Sequence, residues 1–165
     1  MRKIDKIYVD MDGVIADFEK RYTELYGEVS DSERRSKFIQ NFIKFIADGN
    51  FITLELMPDA RKLITFLDSL DIPKEILSST AHPDNYDEIS RQKNLWLNTH
   101  NIAWKQNFVP GKQHKYKYAT PNSIIIDDTL SVIYDWNKAG GIAIHHKNAH
   151  NTMAILEDYL SGSPK

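Results

Sequence analysis

Cysteine is absent from all 165 residues. That excludes disulfide staples, thiol nucleophiles and thiolate metal sites. Long apolar runs are missing too, since no stretch approaches the roughly 20 residues that a membrane span needs. The opening MRKIDKIYVD enters a strand pattern instead of the apolar centre of a secretion signal, so the expected compartment is the cytoplasm. There is no excess of positive charge. With 21 Lys+Arg against 23 Asp+Glu the formal net charge is −2, which argues against a general nucleic-acid surface and leaves room only for a local basic patch. Repeats and low-complexity tracts are lacking as well. What remains is an ordinary globular composition, 41% hydrophobic and 27% charged, at a length that suits one domain or one domain with a modest insertion.

Apolar runs that end abruptly in polar residues organise the chain. Lys6-Ile7-Tyr8-Val9 reads as a buried strand broken by Asp10, Asp12 and Gly13. Glu75-Ile76-Leu77 ends in Ser78-Ser79-Thr80, and Ser123-Ile124-Ile125-Ile126 ends in Asp127-Asp128. Asn107-Phe108-Val109 and Ile142-Ala143-Ile144 are shorter strands of the same kind. Between them the 3.6-residue period predicts helices over 59–70, 85–100, 130–139 and 151–160, the second burying Ile89, Leu95 and Trp96. Continuously apolar strands alternating with helices specify an α/β fold, a Rossmann-like three-layer core with a parallel sheet covered on both faces. Residues 17–56 break the alternation. They predict a helix over 16–26, a polar break in which Ser30 or Ser32 would cap the next helix, and an amphipathic stripe from Phe38 to Ile46 stopped by Asp48-Gly49-Asn50. The expected organisation is therefore a catalytic core of 1–16 and 57–165, with a small helical cap of 17–56 inserted after the first strand.

In open α/β sheets ligands bind at the carboxyl ends of the strands. Those ends deliver Asp10 and Asp12, Ser78 and Ser79, and Asp127 and Asp128. Carboxylates converging on one edge repel unless a cation lies among them, and an all-oxygen donor set suits a hard ion such as Mg2+. Each motif alone is a common turn or helix cap; their joint placement after three apolar strands is what carries the reading. His145, His146 and His150 are set aside as a solvated loop, the Phe38–Ile46 stripe as cap core, and Trp96, Trp104 and Trp136 as packing residues. Phe18 and Phe45 are candidates for stacking on a base.

Tyr8-Val9-Asp10-Met11-Asp12-Gly13-Val14 resembles the first motif, DxDGV/T, of the haloacid dehalogenase superfamily of phosphotransferases. Ile76-Leu77-Ser78 resembles its second motif, Lys115 its third and Ile124-Ile125-Ile126-Asp127-Asp128 its fourth. The stretch from Phe51 to Leu70, with Met57-Pro58-Asp59-Ala60, is similar to the segment joining cap to core in pyrimidine 5′-deoxyribonucleotidases. The likeness covers most of residues 5 to 145. It implies an aspartyl-phosphate mechanism with Asp10 as nucleophile and Asp12 as general acid and base. Ser78 and Lys115 would hold the phosphoryl group, with Ser79 the alternative hydroxyl and Lys112 and Lys117 the alternative ammoniums. Asp10, Asp127 and the backbone carbonyl of Asp12 would bind Mg2+, with Asp128 a second or water-mediated ligand.

The expected function is thus a Mg2+-dependent phosphomonoester hydrolase acting on a small phosphorylated substrate, nucleoside monophosphates first, with no membrane and no stable nucleic-acid complex. Two alternatives stand beside it. One is a polynucleotide end phosphatase, for which Lys112, His114, Lys115 and Lys117 are the only foothold; the other is a non-catalytic binding domain that kept the fold. A dehalogenase is the weaker reading, because carbon–halogen chemistry does not require an acid at Asp12.

Overall fold

A computed structural model of the chain describes residues 3–27 and 34–162. Five strands form one parallel sheet: β1 (Lys6–Val9), β2 (Lys74–Ser79), β3 (Lys105–Val109), β4 (Ser123–Asp127) and β5 (Ile142–His145). Their order across the sheet is β3-β2-β1-β4-β5, so the chain moves outward from β1 on one side and then crosses to the other. The reversal point lies between β1 and β4, where Val9 pairs with Ile126. That is where a doubly wound sheet opens a crevice beyond its strand ends.

The pleat divides the strand residues between two cores. Ile7, Val9, Ile76, Ile124, Ile126 and Ile144 pack on one face, against α3 (Ala60–Ser69), α4 (Tyr86–Thr99) and α6 (Ala149–Ser161). Tyr8, Leu77, Val109 and Ile125 pack on the other, against Val132 and Trp136 of α5 (Leu130–Lys138). Neighbouring residues of one strand thus point to opposite layers, and every apolar position of the central strands has a covered side.

β3 begins two residues before the apolar run that marks it in the sequence. It is an edge strand whose Lys105 and Gln106 are exposed or half-buried, so they need no hydrophobic side chain to pair with Glu75 and Ile76. α4 buries Ile89, Gln92, Lys93, Trp96 and Leu97, whereas Leu95 is 40% exposed. The inward stripe of this helix is therefore rotated one position from the expected one and carries two polar residues.

The chain between β1 and α3 forms α1 (Phe18–Tyr26), α2 (Arg35–Ala47) and a 3-10 turn, Asn50–Thr53, with no strand among its described residues. Asp17 caps α1 by accepting from the Lys20 N–H, and the Asp48-Gly49 break ends α2 with Gly49 at φ +72°. Ser30 and Ser32 lie outside the described residues. Phe18, Tyr22, Phe42, Phe45 and Phe51 meet in one cluster, their ring centroids 5.0–6.5 Å apart where they pair. The two connections to the sheet run side by side: Met57 N–H donates to Ile15 O at 2.8 Å and Asp17 N–H to Glu55 O at 2.8 Å. The segment also rests on α4. The Gln92 amide donates to Ile46 O at 2.8 Å and accepts from Phe51 N–H at 3.2 Å, while the Trp96 indole donates to Leu54 O at 2.8 Å.

Candidate active site

The pairing of β1 with β4 continues past Val9, where Asp10 N–H donates to Ile126 O at 3.0 Å, and so sets Asp10 beside Asp127. Both side chains are buried. Lys115 enters between them from the 3-10 segment Lys112–Tyr118 that follows the Pro110-Gly111 turn. Its Nζ lies 2.9 Å from Asp10 Oδ1 and 2.7 Å from Asp127 Oδ2. Burial works against the Lys115 ammonium, but the charges of Asp10 and Asp127 outweigh it and hold its pKa above the usual lysine value. The second oxygen of Asp127 accepts the Thr129 N–H at 2.9 Å, and its backbone carbonyl accepts the His146 N–H at 2.8 Å. Each oxygen of the carboxylate thus accepts one hydrogen bond.

Asp128 completes a cluster. Ligand oxygens of Asp10, Asp127 and Asp128 all fall within 4.8 Å of one another. Gly13, at φ +79°, makes this approach possible: a Cβ there would come 2.6 Å from the Asp128 Cγ and closer still to its carboxylate oxygen. Burial, and next the charge of Asp10, push the Asp127 carboxyl up to about 6 and Asp128 to about 7. Burial alone raises a carboxyl, and the neighbouring carboxylates add to it. Four carboxylates (Asp10, Asp12, Asp127, Asp128) face two ammoniums (Lys93, Lys115), and the formal excess of two negative charges equals what one divalent cation carries. Oxygen-only donors of this kind fit Mg2+.

Asp12 lies apart from that cluster. The loop that carries it is drawn tight by Met11, whose carbonyl accepts the N–H groups of Val14, Ile15 and Ala16 at 2.9–3.1 Å. Asp12 Oδ2 accepts from Lys93 Nζ at 2.9 Å, whereas its Oδ1 is buried with no hydrogen-bond partner. The same ammonium donates to Ser78 Oγ at 2.7 Å and Ser79 O at 3.0 Å, and sits 5.1 Å from the centre of the Phe51 ring. Lys93 is 1% exposed.

The structure therefore brings together Asp10, Asp12, Asp127, Asp128, Ser78 and Lys115 from the residues singled out in the sequence. Ser79 differs from Ser78 in being half-buried, with its oxygen already accepting the Ala81 N–H at 2.9 Å. Lys112 and Lys117 are exposed, Lys117 lying 3.0 Å from His114 Nδ1. Asp12 offers the cluster no side-chain oxygen, since its carboxylate is directed to Lys93. Phe45 is fully buried in the aromatic cluster and offers no face to a base; Phe18 is partly buried in the same cluster, 5.8 Å from Phe51. His145, His146 and His150 join no metal cluster among the described residues, but they do not form a solvated loop: His145 ends β5, His146 is buried and the exposed His150 lies in α6. His146 is buried against Thr152 Oγ1 at 2.7 Å, and burial lowers its pKa. His145 Nε2 lies 3.0 Å from Asp128 O. Lys93 was missed in the sequence. Its signal was there, four residues after Ile89 and three before Trp96, a charged residue set within the apolar stripe of a helix.

No protein-family model matches the sequence, and no curated protein matches it. Solved structures do. A HAD family hydrolase from Deinococcus radiodurans, with bound phosphate and sodium, superimposes with a TM-score of 0.60 at 11% identity over 100% of both chains. A hydrolase from Streptococcus pneumoniae gives 0.54 at 16% identity, covering 95% of this chain and 100% of that one. The L-2-haloacid dehalogenase of Xanthobacter autotrophicus, with chloropropionic acid covalently bound, gives 0.56 at 14% identity over 97% and 84%. The chain thus has the α/β fold of haloacid dehalogenase-type hydrolases.

Proposed function

We propose that the chain is a phosphomonoester hydrolase of the haloacid dehalogenase type that works through an aspartyl-phosphate. One observation carries the reading. Two carboxylates of one loop have opposite surroundings, Asp10 in the acidic cluster against Lys115 and Asp12 outside it with a buried, partnerless Oδ1. Separate environments are what a nucleophile and a general acid need.

Asp10 attacks phosphorus while the bond to the leaving oxygen breaks, and Asp12 Oδ1 delivers a proton to that oxygen. In the second half Asp12 takes a proton from the attacking water, whose oxygen displaces the Asp10 carboxylate and frees phosphate. Ser78 and Lys115 bind phosphoryl oxygens throughout. Asp10, Asp127 and Asp128 are the side chains that would hold Mg2+, and the ion would supply positive charge against the phosphoryl group. The α1–α2 segment acts as a cap, a wall of the site held to α4. Nucleoside monophosphates are the proposed substrates, on the likeness of residues 51–70 to the cap-to-core segment of pyrimidine 5′-deoxyribonucleotidases. The two exposed lysines beside Lys115, Lys112 and Lys117, make too small a basic surface to favour a polynucleotide end.

The test is phosphate release from nucleoside monophosphates, sugar phosphates and a 3′-phosphorylated oligonucleotide, with Mg2+ and with chelator, beside Asp10→Asn. Metal-dependent release concentrated on mononucleotides, absent in the variant, is the expected result. Activity retained in Asp10→Asn removes the nucleophile assignment. Release from the oligonucleotide alone replaces the substrate class, and none from any substrate replaces the enzyme with a binding domain.

A further inference from the structure

Lys93 has no part in the chemistry outlined above, yet its ammonium is the most enclosed charge facing Asp12. It reaches the site from α4, is almost wholly buried, and lies 5.1 Å from the centre of the Phe51 ring. Its three oxygen contacts, Asp12 Oδ2, Ser78 Oγ and Ser79 O, match the three protons an ammonium has to give.

An ammonium donates and never accepts. From that alone the placement of two other protons follows. Asp12 Oδ2 accepts from the ammonium, which favours it unprotonated, so a proton on this carboxyl resides on Oδ1, the oxygen with no partner. Ser78 Oγ likewise accepts from Lys93, so its hydroxyl hydrogen points away, and the residue is a donor to whatever lies beyond. We propose that Lys93 is a positioning residue which fixes both directions at once: Asp12 presents Oδ1–H to the leaving oxygen, and Ser78 presents O–H to a phosphoryl oxygen. This rests on the phosphatase reading and deepens it.

The two roles separate by leaving group. The phenolate of p-nitrophenyl phosphate departs without a proton, whereas an alkoxide does not. Lys93→Met therefore lowers kcat/KM, which reports the steps up to departure of the leaving group, at least ten-fold more for an alkyl phosphate than for p-nitrophenyl phosphate, and weakens binding of both alike through Ser78. A residue that merely supports the fold would lower both rates together. In an Asp12→Asn background the alkyl-specific loss is already complete, and adding Lys93→Met does not enlarge it. The double variant also guards against a folding failure, because it removes both partners of a buried ion pair and strands neither charge. Lys93→Arg, which keeps a donor-only cation, restores part of the alkyl activity.

Equal losses on the two substrates with Lys93→Met, or a further alkyl-specific loss in the double variant, overturn the proposal while the phosphatase reading stands. Wild-type protein that releases phosphate from neither substrate overturns both.

Discussion

Gly13→Ala isolates the approach of Asp128 to the acidic cluster. Gly13 sits at φ +79°, and an alanine held there pays about 1–2 kcal/mol for the left-handed backbone. The stiffer unfolded chain returns roughly 0.4–1 kcal/mol, so the backbone part comes to about 1 kcal/mol. The new methyl also overlaps the Asp128 carboxylate, whose Cγ is 2.6 Å from the Cβ position. Asp128 is the exposed member of the three, its carboxyl only partly screened from water, and it swings away, leaving two of the three clustered carboxylates in place. A divalent ion that loses one of three anionic ligands is expected to need at least ten-fold more free metal for half-saturation, equivalent to about 1.4 kcal/mol. Gly140→Ala is the control, since Gly140 has φ +92° and nothing within 4 Å of a Cβ. Urea denaturation in chelator should show similar losses for the two variants. Titrating Mg2+ against Tm should then shift the midpoint for Gly13→Ala alone. An identical Mg2+ response in wild type, Gly13→Ala and Gly140→Ala would refute the argument, because it would mean that Asp128 does not hold the ion.

Chelated protein should lose stability as pH rises from about 4 to about 7. Asp127 and Asp128 titrate above their unfolded values, at about 6 and about 7 against 3.8, so the native state binds more protons across that window. Tm measured in chelator should fall over this range and the fall should vanish with Mg2+; a Tm rising with pH in chelator contradicts it. Gln92→Ala removes the partner of the buried Ile46 carbonyl and Phe51 N–H and should cost roughly 2–4 kcal/mol, lowering Tm by several degrees. A loss under about 1 kcal/mol would show that the α1–α2 segment does not depend on α4.

The strands and their acidic ends were legible because burial on both faces leaves an unmistakable pattern: Ile124, Ile125 and Ile126 have no polar alternation to confuse them, and Asp127 ends the run where the sheet ends. The same logic failed at β3, where Lys105 and Gln106 belong to an edge strand and carry no apolar mark. It failed again on α4. Helical spacing puts Lys93 on the inward stripe while its charge argues for solvent, and only the presence of Asp12 and Ser78, distant in sequence, makes its burial tolerable. His146 was misread for a related reason, since its enclosure depends on Thr152 and the Asp127 carbonyl instead of on its neighbours in the chain. The choice between Ser78 and Ser79 was beyond the sequence because a one-residue shift exchanges the two faces of a strand.

Adjacent residues of α4 serve different masters: Gln92 grips the α1–α2 segment and Lys93 grips Asp12 and Ser78. That adjacency limits how such proteins can be remodelled. Exchanging residues 17–56 for a foreign insertion would leave Gln92, Trp96 and the flank of Lys93 facing a surface they were not shaped for. A graft that ignores the helix is expected to loosen the ammonium along with the roof. The natural unit of exchange is the α1–α2 segment together with the inward face of α4, two stretches of chain more than thirty residues apart that must be swapped as one.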